Sequence, residues 1–343
     1  QFCEALAAQG ETSTAQAIVA AFLQSAPDNV TALFYQRFLA EPDPRNCPAS
    51  RRREMQEQAA RAVADPIRRS LELGQFYLQT QQPEEATSQL QSVLDATAGD
   101  TSVPAYVAGG PPHPRRAAAE RLFDLARSRE DWPLAGRIAE TARREDLDGC
   151  GGRLFAANLA SAKKEYSLAL THLNEALQQR PVFSYGYVLR SEVQAALGKD
   201  QEAVDDARKA ARLNPLDTMA AKILAKALWT RNSKTGEHLS LEQRQETQRA
   251  LERAVQLDPR DIGLLNAYVD FISPDEPQKA VALRQTIQAN APSADNAVKL
   301  GVLATRVAQV ETDPAKQQAF AAIARTAFEQ ALDLIDQSIA SAG

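Results

Sequence analysis

Residues 196–215 read ALGKDQEAVDDARKAARLNP, with Ala203, Ala207 and Ala210 standing twelve, eight and five residues before Pro215. The same offsets occur 34 residues earlier, in EYSLALTHLNEALQQRP (165–181), as Ala169, Leu173, Ala176 and Pro181. They return 44 residues later as Thr247, Leu251, Ala254 and Pro259, and 33 beyond that as Ala280, Arg284, Ile287 and Pro292. Near the start of the chain, Ala15, Val19, Phe22 and Pro27 fit the same ruler, and Ala86, Leu90 and Val93 fit it without the proline. Steps of four and three place the three side chains on one helical face. The proline cannot continue a helix, because it lacks the N–H and clashes with the preceding turn. Asp217, Asp261 and Asn29, two residues after a proline, stand where a side chain caps the next helix. A helix that is striped, stopped and restarted with the same internal offsets marks a repeat array.

A second stretch, LELGQFYLQTQQPEEATSQL (71–90), sets Gly74 inside a helical pattern. A glycine there costs about 1 kcal/mol relative to alanine, so another interaction must favour it. Taken with the ruler, the pattern resembles the tetratricopeptide repeat (TPR), a helix–turn–helix unit of 34 residues. The resemblance implies two antiparallel helices, A and B, with small residues where they approach most closely. Here those pairs are Gly74 with Ala86, Ser191 with Ala203, and Ala157 with Ala169; Tyr77 fills the space beside the first, and Gly198-Lys199 marks an A–B turn. The expected fold is all-α: a right-handed α-solenoid of about eight stacked helix pairs with degenerate terminal repeats. The pattern is strongest over 150–260, clear over 67–98, partial over 1–30 and weak over 114–147 and 262–340. A generic alanine-rich bundle would share the helical periodicity but not prolines in register. Pentatricopeptide repeats have a similar length but bind RNA through a basic groove, and this chain is acidic overall.

The 343 residues are 44% hydrophobic and 24% charged, with a net charge of −5. That balance argues against nucleic acid, which selects a basic face. No run of 18 apolar residues provides a membrane span. Cys3, Cys47 and Cys150 are odd in number and scattered, which reads as inert thiols, with a Cys47–Cys150 bridge as the alternative. His113, His172 and His238 lie far apart, so no metal or cofactor is expected. The compartment is not legible. The first residue, Gln1, is not an initiator methionine, and Phe2, Cys3 and Leu6 fall on late helix A positions. Repeats or another domain are therefore expected upstream.

The period divides the chain into repeats over 1–97, a Gly/Pro-rich loop over 98–114, and repeats over 115–313 with an insertion at 230–240. A terminal helix, 314–343, follows. In that helix Phe320, Ile323, Ala327, Leu334 and Ile335 are expected to pack, while Arg325, Glu329, Asp333 and Asp336 stay wet, as suits a cap.

No catalytic constellation stands out: there is no GxxxxGK[ST], HExxH or GxSxG. Asp148-Gly149-Cys150-Gly151-Gly152 precedes a helix and could cradle an anion, although no strand leads into it and a turn between repeats explains it as well. The resemblance implies a concave face lined by helix A. Its residues would be Leu154 and Asn158; Tyr185, Val188 and Glu192; Met219, Lys222, Lys226 and Trp229; and Gly263, Asn266 and Asp270. Lys222 and Lys226, one turn apart, could jointly hold a carboxylate. At the positions with which chaperone-binding TPR proteins clamp a C-terminal carboxylate, only Asn158 matches. The expected function is a non-catalytic scaffold that binds a peptide or partner protein. The alternative is a regulatory or assembly arm of a larger enzyme or membrane-associated export machine. Homo-oligomers through incompletely capped terminal repeats are also expected.

Overall fold

A computed structural model describes residues 2–99, 113–235 and 239–342. The described residues form eighteen α-helices and one 3₁₀ turn, with no strand among them. They fall into two compact units, residues 1–179 and 180–343. The first holds α1 (Phe2–Ala8), α2 (Thr12–Ser25), α3 (Val30–Phe38), α4 (Ala49–Arg61), α5 (Pro66–Gln79), α6 (Pro83–Ala96), α7 (Pro114–Ser128), α8 (Trp132–Glu145), α9 (Arg153–Ala162) and α10 (Tyr166–Gln179). The second holds α11 (Ser184–Ala196), α12 (Asp200–Leu213), α13 (Thr218–Thr235), α14 (Leu241–Leu257), α15 (Ile262–Ile272), α16 (Pro277–Asn290), α17 (Ala294–Val310) and α18 (Pro314–Ala342). Consecutive helices pair from α1–α2 to α17–α18. The described residues thus make nine pairs, beside the eight or so read from the sequence.

The ruler marks the core. Ala86, Leu90, Val93, Ala169, Leu173, Ala176, Ala203, Ala207, Ala210, Thr247, Leu251 and Ala254 are each exposed by 1% or less. Burying a leucine such as Leu90, Leu173 or Leu251 stabilises by about 2 kcal/mol. Two positions depart from the pattern. Phe22 is half exposed. Arg284 is buried, and its guanidinium donates to Asn266 and to Asp270, the latter at 3.0 Å. Each ruler proline follows the end of its helix within two residues, and Asn29 and Asp261 accept from the N–H groups of Ala32 and Leu264 as caps.

A Cβ on Gly74 would come within 2.7 Å of Leu90 Cγ and Cδ2. The glycine therefore does admit a close approach, but the group seated on it is the Leu90 side chain. Tyr77 is buried beside it and donates to Glu57 Oε1 at 3.0 Å. The α11–α12 pair solves the same problem differently: buried Ser191 donates its hydroxyl to the Ala203 carbonyl at 2.8 Å. The A–B turns share a feature that composition hides. Glu130, Lys164 and Gly198, spaced by 34, all take left-handed backbone at φ 56°, 64° and 74°. Only the third is a glycine, the residue that adopts this conformation without strain.

Most of the 98–114 segment lies outside the described residues. The helices that flank it, α6 and α7, pack on each other. Buried Arg115 of α7 donates to the Leu94 carbonyl, to Thr97 Oγ1 at 3.2 Å and to Glu145 Oε1 at 2.8 Å. The division between compact units falls after Gln179. In the 230–240 insertion, α13 runs on to Thr235, residues 236–238 lie outside the described set, and Ser240 closes a capping box on α14. Much of the insertion therefore lengthens a helix. The three cysteines are free, so the alternative bridge is not formed. Burial pushes the Cys150 thiol up to about 12.

Candidate functional site

In the second unit, α13 and α15 enclose a cleft of about 320 Å³. Asp217 Oδ1 accepts from the Met219 N–H at 2.9 Å and sets the start of α13. From there Met219, Lys222, Lys226 and Trp229 follow at helical spacing along one face. All four line the cleft, with Ile223 and Leu251 below and Gly263, Leu264 and Ala267 opposite on α15. Its walls are mostly apolar, and half-exposed Met219 stands at the opening.

The two lysines differ. Lys222 Nζ lies 2.6 Å from Asp258 Oδ2 and 2.8 Å from Asp261 Oδ2. Asp258 ends α14 and Asp261 caps α15, so Lys222 fixes three helices together. Its hydrogen bonds hold both carboxyls below their usual range and raise the lysine's own pKa. The joint Lys222–Lys226 clamp is therefore not available, because Lys222 already binds two carboxylates of its own chain. Lys226 is exposed and forms no ion pair with a described residue. Trp229 serves two surfaces. It lines the cleft and sets its ring edge-on to Phe271, with centroids 6.1 Å apart.

The other expected positions stand elsewhere. Tyr185 and Glu192 are exposed on α11 and do not line this cleft. Asn266 accepts from Arg284 across α15–α16. Asn158 is half-buried on α9 of the first unit. Sequence reasoning missed Ile223, Leu251, Leu264 and Ala267. The helical stripe could have suggested Ile223, whereas Asp258 and Asp261, which retire Lys222, lie 36 and 39 residues from it.

The glycine-rich loop before α9 is already filled. Asp148, buried, accepts from Cys150 N–H and Gly152 N–H through Oδ1, and from Leu154 N–H through Oδ2, all at 2.8–2.9 Å. The anion at that helix start is the chain's own carboxylate. A Cβ at Gly152 would meet the Arg143 backbone at 2.4 Å, and its φ is 72°, so glycine is needed there for packing. Larger hollows occur against α8–α10 (about 670 Å³) and α16–α18 (about 710 Å³). Neither has an aromatic side chain like Trp229; the α16–α18 hollow is lined largely by glutamines and alanines around Leu300, Ile323 and Leu334, the α8–α10 hollow largely by charged and small residues around Leu159 and Leu168. Among the described residues no group of three His, Cys, Asp or Glu is placed to hold a metal ion, and no helix is long and apolar enough to cross a membrane.

No family model matches the chain, and no curated protein matches it in sequence. Solved structures do. Yeast Tom70 aligns over 90% of this chain and 62% of its own at 12% identity, with a TM-score of 0.61. YrrB, a TPR protein with an unusual peptide-binding site, covers 57% of this chain and 96% of its own at 20% identity and TM-score 0.43. A tetratricopeptide repeat protein from Parabacteroides merdae covers 76% and 99% at 14% identity and TM-score 0.41. The last two align too loosely to carry an argument, so the comparison rests on Tom70 and on the helix-pair repeat itself. The chain has the fold of a TPR-like, all-α helical solenoid.

Proposed function

We propose that this chain is a non-catalytic protein–protein interaction scaffold whose α13–α15 cleft takes a peptide segment of a partner. One observation carries the reading: Lys226 stands exposed, with no ion-pair partner among the described residues, beside a cleft walled by Met219, Ile223, Trp229 and Leu264. A bulky apolar side chain fits such walls, and a carboxylate next to it would reach Lys226. Aromatic anchors dominate interface energetics, and methionine adapts to the shape it meets. A charge-assisted hydrogen bond then fixes orientation. This face is the one that the TPR resemblance assigns to the concave surface. Lys222 supports the site indirectly, by setting the angle between its two walls.

The test is selection from a random peptide library, followed by titration of the selected peptides against Lys226→Ala and Met219→Ala. The expected result is enrichment of an acidic group near an aromatic or leucine, with affinity falling about tenfold in either variant, or roughly 1.4 kcal/mol. Peptides that bind both variants as tightly as the parent would refute the assignment.

A further inference from the structure

The terminal helix α18 carries two apolar lines. Phe320, Ile323, Ala324 and Ala327 pack with Leu300, Ala304 and Val307 of α17, and Ala331 is buried. A second line, Phe328, Leu332, Ile335 and Ile339, is exposed by 38%, 62%, 42% and 67%. Ile335 was expected on the packed side; the structure places it on this outer line. The steps of four, three and four keep these residues on one helical face. Toward α17 the face continues into a groove of about 540 Å³ lined by Ala308, Ala324 and Phe328 together with Thr305 and the glutamines Gln309, Gln317 and Gln318.

Charge identifies the occupant. Three acids, Glu329, Asp333 and Asp336, and one cation, Arg325, run beside the apolar line with a net negative charge, all exposed and none in an ion pair with a described residue. We propose that this face of α18 docks an amphipathic helix of a partner protein, one with lysines or arginines along one flank of its apolar stripe. Apolar residues would fill the α17–α18 groove and cover Leu332 and Ile335, and the basic flank would meet the acidic line. The same charges weigh against two other occupants. A second copy laid antiparallel on α18 would set acidic line against acidic line, and an anionic lipid surface would be repelled. This surface is separate from the α13–α15 cleft, so either assignment can fail alone.

The probe is a designed helical peptide of about 20 residues, long enough to follow the outer face at 1.5 Å per residue. It carries leucines on one stripe with lysines beside them, and its twin has glutamate for each lysine. Fluorescence anisotropy on the whole chain should show the lysine peptide binding at least about tenfold tighter than its twin. Leu332→Asp/Ile335→Asp should weaken it by a similar factor. Glu329→Lys/Asp333→Lys/Asp336→Lys should reverse the preference between twins. All five side chains are exposed, and circular dichroism checks that each variant folds. Equal binding of the twins, binding that ignores Leu332 and Ile335, or no binding of either would overturn the proposal. So would light scattering that shows a dimer abolished by Leu332→Asp, or uptake of the wild-type chain on phosphatidylserine vesicles.

Discussion

Helices α12 and α18 are both the second helix of a pair, yet they handle their outer faces differently. In α12 the buried line is Ala203, Val204, Ala207 and Ala210, and the outside is charged. Those outer charges are used: Arg208 donates two hydrogen bonds to Glu246 of α14, at 2.6 and 2.7 Å. In α18 the outside carries a second apolar line, and the acids beside it have no ion-pair partner among the described residues. An interior helix B is finished by its own neighbours. Helix α18 instead leaves Leu332 and Ile339 exposed beside its acids.

The largest effect expected from this contrast is on α12. Ala207 is fully buried, and Ala207→Leu would force its neighbours apart at a cost of about 3 kcal/mol. Denaturant unfolding should show a much lower midpoint, and a change under 1 kcal/mol would mean the α12 seam is looser than described. Next comes Ser191→Ala, which removes the hydroxyl bond to Ala203 and should cost about 1 kcal/mol by the same measurement. The α12–α14 ion pair is smaller. Both partners are near one-third exposed, so solvent screening keeps its contribution to roughly 0.5–1 kcal/mol.

That ion pair has a pH signature. The Arg208 guanidinium holds the Glu246 carboxyl below its usual range. Its stabilisation is therefore fully present above the unfolded-state pKa of about 4.3, and is lost as pH falls through the lower folded-state value. Unfolding from pH 6 down to pH 3 should show Arg208→Ala losing less stability than the parent; parallel curves would remove this pair from the account. Smallest of all are stability changes on α18. Leu332→Ser should alter folding by less than about 0.5 kcal/mol, because the side chain has little native contact to lose.

The sequence revealed the buried ruler because burial demands small or apolar residues at the same three offsets in each repeat. It revealed Gly74 as a place of close approach, though not that Leu90 is the side chain seated there. The left-handed turns at Glu130 and Lys164 were hidden, since the repeat geometry imposes that conformation on residues that do not advertise it. Of the expected residues, Met219, Lys222, Lys226 and Trp229 line one cleft, because helical spacing puts them on one face of α13. That spacing could not separate a free lysine from an engaged one. Lys222 is engaged by Asp258 and Asp261, which come near only once α14 has folded back. Ile335 was placed on the wrong side because two apolar lines share α18, and the spacing alone does not say which one α17 covers.

Site-specific photo-crosslinking tests the central claim, that partners are taken at the α13–α15 cleft. A photoreactive residue replaces Lys226 in one variant and exposed Glu202 on α12 in another, and each is incubated with a peptide selected for binding. Adducts should form from position 226 and not from position 202. Equal adducts from both, or adducts from position 202 alone, would contradict the account.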